Sequence, residues 1–187
     1  MAHDFYQGYC KSYLWPALHN VLEVYDSAFD VTDSVFSGFD DATLRKCWDA
    51  YNKVNTIFAE NIAYRCVELY NLKKEEYTTP TVWVHSYHMM LVPRLVQQLM
   101  MEHIVSGSLD SSDSRPPLTL KKDWSSKDRS RDVLRSLTDK LNTSDKRELY
   151  EQVRPHVVFF MHEPMPTFEV FRTLGSRTFL LEGILGR

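Results

Sequence analysis

Two short polar clusters hold most of the residues whose types and spacing could do chemistry. His85-Ser86-Tyr87-His88 follows Thr81-Val82-Trp83-Val84, and His162-Glu163-Pro164 follows Val157-Val158-Phe159-Phe160-Met161. Imidazoles and carboxylates ligate metals, so His85, His88, His162 and Glu163 form one candidate set. That signal is weak without cysteines or a third fixed ligand. Cysteine–histidine nucleophilic catalysis is a weaker option. Cys47 and Cys66 lie on a long helical pattern, where cysteines are usually inert packing residues. A third option is hexose recognition, with aromatic rings against the apolar faces of a sugar and His, Asp or Ser bonding its hydroxyls. Tyr6, Tyr9 and Trp15 could supply that wall, although aromatics at helical spacing are more often core. His162 alone would ordinarily be a satisfied structural histidine. Its place at a strand end, ahead of Pro164 and Pro166, argues for function as well.

These clusters need elements that bring them together. Residues 1–25 read as helix-forming, aromatic-rich and broken near Trp15-Pro16, and 26–39 read as a loop punctuated by Ser, Asp and Gly. Asp40 or Asp41 is a plausible N-cap. Behind it Leu44, Trp48, Tyr51, Asn55, Phe58 and Ile62 recur three or four apart, predicting an amphipathic helix to about Tyr70, ~45 Å long. Thr79-Pro80 breaks that pattern. Thr81–His85 and His156–Met161 are short, β-branched and aromatic, apolar on both faces like buried parallel strands. Leu91–Met101 reads as a helix with Pro93 in its first turn. Helical patterns recur at Thr167–Leu174 and Ser176–Leu185. This alternation predicts an α/β fold with a parallel sheet. Ligands of such folds bind beyond the carboxyl ends of the strands, so His85 or Ser86 should face His162 across one cleft if the strands are neighbours. The stretch 106–149 is polar and Ser/Asp/Lys-rich, and is expected to be a mobile surface insertion with a short helix at Val133–Leu141.

Composition bounds the function classes. The chain has 187 residues, one ordinary domain, with 22 basic against 25 acidic side chains and a net charge of −3. No basic excess exists to neutralise phosphates, which argues against a nucleic-acid partner. A hydrophobic content of 43% is ample for a packed core, so global disorder is not expected. No apolar run approaches the ~20 residues of a membrane span, and the first residues lack the pattern of a signal peptide. Three scattered cysteines make no disulfide framework. A soluble, cytoplasmic protein is the expectation.

The clusters also fall into a recognisable order. Phe5-Tyr6-Gln7-Gly8-Tyr9-Cys10-Lys11 leading to Leu14-Trp15-Pro16-Ala17-Leu18-His19 resembles the "FY-G-CK…LWP-FH" segment of trehalose-6-phosphate synthases. Trp48-Asp49-Ala50-Tyr51, Val54-Asn55 and Phe58-Ala59 resemble that family's "W–AY–VN–FA" helix, and Trp83 to Pro93 resembles "WVHDYHLMLLP". His162-Glu163-Pro164-Met165-Pro166 with Glu169 to Leu174 resembles "H-PFPSSEIFRTLP", and Leu180 to Gly186 resembles "LLEGLLGAD". These five blocks cover most of the chain outside the insertion.

The resemblance implies an α/β, Rossmann-like parallel sheet flanked by helices, the partial N-terminal, acceptor-side half of a GT-B glycosyltransferase spanning residues 1–187. The family transfers glucose from UDP-glucose to glucose 6-phosphate with retention, by a front-face mechanism in which the leaving diphosphate helps to take the acceptor proton. No cofactor or metal is implied. Matching positions carry over residue by residue. Tyr6 and Trp15 would line the acceptor pocket, and His162, the catalytic candidate, would hydrogen-bond the transferred glucose. Ser86 stands where the family has an acceptor-binding aspartate. Implied partners are the two sugar substrates, with trehalose-complex subunits or a second copy as further possibilities, and neither nucleic acid nor membrane.

Three departures follow. The chain lacks counterparts of the family's N-terminal glycine-rich loop and nucleotide-binding C-terminal domain, so by itself it is expected to be inactive and to leave an unpaired sheet edge. Aspartate has become Ser86. Charge-assisted hydrogen bonds contribute about 1.5–3 kcal/mol each, so losing one would weaken acceptor binding about 10–150-fold. The connection between the two strands is long for an α/β unit and hints at a divergent, regulatory branch. A catalytically silent, synthase-like regulatory subunit is therefore the alternative reading.

Overall fold

The computed structural model describes residues 1–19, 41–73, 76–107 and 135–163. The expected loop at 26–39, the cap at Asp40, most of the polar insertion, and the helical patterns beyond Pro164 lie outside these residues.

Asp4–Leu14 forms a π-helix that passes directly into α-helical Trp15–Leu18. The expected break near Trp15-Pro16 is therefore absent. The Trp15 N–H donates five residues back to the Cys10 carbonyl, whereas the His19 N–H donates four residues back to Trp15 at 3.1 Å. Pro16 has no N–H, so the ladder changes its step there without stranding a donor.

Helix α1 (Asp41–Leu72) runs 32 residues, ~48 Å, close to its expected span. Its buried side is Leu44, Cys47, Ala50, Tyr51, Asn55, Ala59, Ala63, Cys66 and Val67. The sequence stripe drifted one residue off this side in its second half, where Phe58 is half exposed and the small Ala59 and Ala63 lie inside. Residue spacing alone accommodates either choice, since both sets recur four apart.

Strand β1 (Thr81–His85) and strand β2 (His156–Phe160) pair in parallel. The His156 N–H donates to Pro80 O at 3.0 Å, and the Ser86 N–H donates to Phe160 O at 2.8 Å. Both strands sit where their β-branched runs predict, but they are not buried on both faces. Trp83 is 62% exposed and Phe160 44% exposed. The sheet has two strands among the described residues, and of their side chains only Val84 is buried. An apolar run records what a strand can bury, not what covers it.

Contacts divide the chain into two compact units. The second, drawn from Thr56–Val84 and Val92–Val158, is built on α2 (Val92–Ser106) and α3 (Ser144–Val153). Pro93 occupies the first turn of α2, where its missing N–H costs nothing. Leu95, Val96, Leu99, Met100 and Ile104 are buried, as are Tyr150 and Val153 of α3, which packs against α2. Burying each leucine fully contributes about 1.5–3 kcal/mol. Lys146 of α3 donates to the Val105 carbonyl at 3.2 Å, satisfying one of the free acceptors at the end of α2. Residues 135–140 are helical, as expected near there, and Leu137 and Leu141 are buried, so core-forming sequence resumes well before residue 149.

The first unit contains the described residues of Met1–Asn55, His85–Leu91 and Phe159–Arg187. In it the π-helix lies tightly on α1. A Cβ placed on Gly8 would come within 2.5 Å of Cys47 Sγ, closer than atoms can pack. Gly8→Ala should therefore lower the unfolding free energy by about 1–3 kcal/mol, read as a lower urea midpoint. Adding Cys47→Ala removes the blocking sulfur and should recover most of the loss. A double variant no more stable than Gly8→Ala alone would exclude this contact as the cause.

Candidate functional site

The site forms in the first unit, just past the carboxyl ends of β1 and β2. Two side chains of α1 shape the backbone there. Tyr51, fully buried, donates its hydroxyl to the Tyr87 carbonyl at 2.7 Å and accepts from the Met90 N–H at 3.3 Å. Asn55, also fully buried, donates to the His88 carbonyl at 3.0 Å and accepts from the Leu91 N–H at 3.2 Å. Four backbone groups of the turn after β1 thereby receive partners that no strand or helix provides. Burial pushes the Tyr51 phenol far above its usual range, so it remains a donor at any physiological pH.

Held in this way, the turn tolerates strain at Ser86, with φ 71° and ψ 157°, a conformation essentially reserved for glycine. The Met89 N–H returns to Ser86 O at 3.0 Å, and Ser86 Oγ lies 2.9 Å from His88 Nδ1. The His88 ring is stacked by Tyr6, with centroids 5.6 Å apart and planes within 11°, and by Tyr87 at 4.1 Å. Across the two strand ends, His85 Nδ1 and His162 Nε2 are 3.4 Å apart and their rings stack at 5.6 Å. Phe160 meets both imidazoles edge-on. The strand-end cluster expected from sheet geometry is therefore assembled, with His85 rather than Ser86 against His162.

Trp15 stacks on His19 at 4.3 Å, farther along the first helix. The π-helical ladder decides where it points relative to Tyr6. Nine residues separate the two. In an α-helix nine steps of ~100° would put them on opposite sides. With the i→i+5 ladder, about 4.4 residues per turn, nine steps make about two turns and return to the same side. Tyr6, Lys11 and Trp15 are accordingly all exposed, while Tyr9, Cys10, Tyr13 and Leu14 are buried. Lys11 Nζ hangs 5.8 Å from the Tyr6 ring. Of the proposed aromatic wall, Tyr6 and Trp15 face outward. Tyr9 is core, packed on Tyr51 at 4.7 Å and Trp48 at 5.4 Å.

The electrostatics narrow the chemistry. Burial pushes the Cys10 thiol up to about 12 and the Cys66 thiol to about 11, and raises Cys47 too, so none presents a thiolate nucleophile at neutral pH. Among the described residues no three His, Cys, Asp or Glu side chains group as they would to hold a metal. Stacked rings, three imidazoles and a hydroxyl beside an exposed aromatic side suit the hydroxyl groups of a ligand. Beyond their places in the family-like blocks, the sequence offers His88 a role as a metal ligand and Asn55 a place in a helical stripe. The available signal was a polar amide on an otherwise apolar face, four residues from a tyrosine.

His88 is held below the usual imidazole value, 6.5, by burial and then by the Lys11 charge, with Glu163 pulling the other way. His103, buried in α2 of the second unit, is lowered by burial. Both resist protonation in the folded chain while the unfolded chain takes up protons below about 6.5, so their contribution is present above 6.5 and lost as pH falls. The urea midpoint should therefore drop between about pH 7.5 and about pH 5.5, and replacing both histidines by Gln should remove most of that drop. An equal drop in the double variant would refute the assignment.

Comparison with known proteins places the sequence in a family. The sequence description of glycosyltransferase family 20 matches residues 1–107. The chain is 25% identical over 185 residues, 99% of its length, to a protein of Arabidopsis thaliana named as a probable alpha,alpha-trehalose-phosphate synthase (UDP-forming). It is 28% identical over 185 residues to such a synthase of Aspergillus niger, and 26% identical over 182 residues to a trehalose synthase complex regulatory subunit of Saccharomyces cerevisiae. The chain spans 13%, 23% and 10% of the lengths of these relatives, respectively. No solved structure matches it. With more than half of its residues matched, and with the matched blocks supplying Tyr6, Trp15 and the Ser86–His88 turn, the chain belongs to glycosyltransferase family 20.

Proposed function

We propose that this chain is the acceptor-side portion of an alpha,alpha-trehalose-phosphate synthase, which transfers glucose from UDP-glucose to glucose 6-phosphate. The observation that carries the reading is the convergence of Ser86, His88, His85 and His162 past two parallel strand ends, with Tyr6 stacked on His88. In this reading β1 and β2 belong to the Rossmann-like sheet of a GT-B enzyme. Tyr6 and Trp15 border the acceptor pocket, and Ser86 contributes a hydroxyl to the acceptor. His162 hydrogen-bonds the transferred glucose as its anomeric bond to the diphosphate breaks and the acceptor oxygen bonds to the same face. The leaving diphosphate takes the acceptor proton, so no residue of this chain acts as general base. The chain alone binds acceptor without turnover, since the donor half of the cleft comes from elsewhere in the complete enzyme. Three free, buried thiols fit a reducing cytosol.

A second reading is favoured by Ser86 and by the relative named as a regulatory subunit: a silent synthase-like subunit of a trehalose-synthesis complex. UDP release from UDP-glucose, with and without glucose 6-phosphate, separates the two when measured on the complete protein of which we propose this chain is part. Acceptor-dependent release is expected. Glucose 6-phosphate binding without release would favour the regulatory reading, and neither binding nor release would refute both. In a working synthase, Ser86→Asp should tighten the acceptor about 10–150-fold by restoring a charge-assisted hydrogen bond. Unchanged affinity would remove Ser86 from the acceptor site.

A further inference from the structure

Two polar atoms at the strand ends have no use in the fold. Glu163 Oε2 and His88 Nε2 are both closed off from solvent, and neither has a hydrogen-bond partner among the described residues. Both lie in the first unit past the paired strand ends, Glu163 directly after His162, whose ring stacks on His85, and His88 three residues beyond His85. The Glu163 charge is also felt at the His88 ring. The His88 ring cannot turn to relieve its nitrogen. Ser86 Oγ engages Nδ1 at 2.9 Å, and the stacks with Tyr6 and Tyr87 hold the ring in plane. In the tautomer in which the Ser86 hydroxyl donates to Nδ1, the proton of the neutral ring sits on Nε2, which is then a donor; this is the tautomer that the pairing below requires. A carboxylate oxygen is purely an acceptor. A buried acceptor and a buried donor that the protein leaves unpaired are costly by themselves and complementary to hydroxyl groups, which donate and accept at once.

We propose that Glu163 and His88 form a hydroxyl-recognition pair, Glu163 accepting from and His88 Nε2 donating to hydroxyls of the bound sugar. Glu163 thus brings to this site, from the end of β2, a carboxylate that Ser86 does not bring from the end of β1. Specificity follows from the pairing: a ligand lacking the hydroxyl leaves the closed-off Glu163 Oε2 without a donor. The pair rests on the sugar-binding reading above, with glucose 6-phosphate as the expected ligand.

The sign of one substitution tests it. Glu163→Gln keeps the shape and removes the charge. A carboxylate that merely sits near an anionic sugar phosphate repels it, so its neutralisation would leave binding unchanged or tighten it. A recognition carboxylate gives the opposite result, a weakening of about tenfold or more. The measurement is calorimetric titration of the 187-residue chain and its Glu163→Gln and Glu163→Ile variants with glucose 6-phosphate and with glucose, each variant first shown to keep the wild-type urea midpoint or to exceed it. Weaker binding of both sugars by both variants is the expected result. Unchanged or tighter binding overturns the pair and leaves the acceptor reading standing. Binding of glucose but not glucose 6-phosphate, still dependent on Glu163, overturns the acceptor reading and supports the pair. A wild-type chain that binds neither sugar overturns both.

Discussion

Tyr51 and Asn55, one helical turn apart on α1, bind four backbone groups of the turn that follows β1, and the remainder of the site hangs from that attachment. The turn holds only a single 3-10 turn, Tyr87–Met89, so most of its amides and carbonyls need partners from elsewhere. A phenol and a carboxamide, each able to donate and accept, meet that need from inside the core, where each hydrogen bond contributes on the order of 1 kcal/mol and its loss would strand a buried group. Because Asn55 Nδ2 also donates to Tyr51 O at 3.0 Å, the two side chains form a single network.

This attachment accounts for the strain at Ser86. A serine at φ 71° costs on the order of 1–3 kcal/mol, which persists only where the surroundings over-determine the conformation. The strand pairing from Ser86 N to Phe160 O fixes one side of the turn and α1 fixes the other. The strain turns His88 back toward the first helix, where Tyr6 can stack on it. The helix reaches His88 with its aromatic side because its backbone is π-helical and because Gly8 lets it approach Cys47. Two backbone irregularities, one at Ser86 and one over Asp4–Leu14, thus meet at the same imidazole. Both kinds of irregularity are costly and are characteristically retained at functional sites.

The second unit shows contrasting economy. Its helices α2 and α3 pack mainly through aliphatic side chains, and its buried polar residues, Gln98 and His103, sit within a helix that takes side-chain help from Lys146 at its end, at the Val105 carbonyl. Polar atoms are concentrated where backbone is irregular and aliphatic carbon where it is regular. That division separates the part that can recognise a polar ligand from the part that supplies ordinary stability.

Much of this was legible in the residues alone. The span of α1, both strands, the position of α2 with Pro93 in its first turn, and the family itself all follow from local pattern, because periodicity, chain breakers and residue order are properties of neighbouring residues. Tertiary structure decided what depends on distant partners. It chose Ala59 and Ala63 over Phe58 as the inner side of α1, left Trp83 and Phe160 exposed on strands whose composition suits burial, and paired His85 with His162. It also set the π-helical step that turns Tyr6 and Trp15 to one side, and it gave Asn55 its buried role. Each of these depends on a surface, a hydrogen-bond partner or a close approach supplied by residues dozens of positions away, which no local spacing encodes.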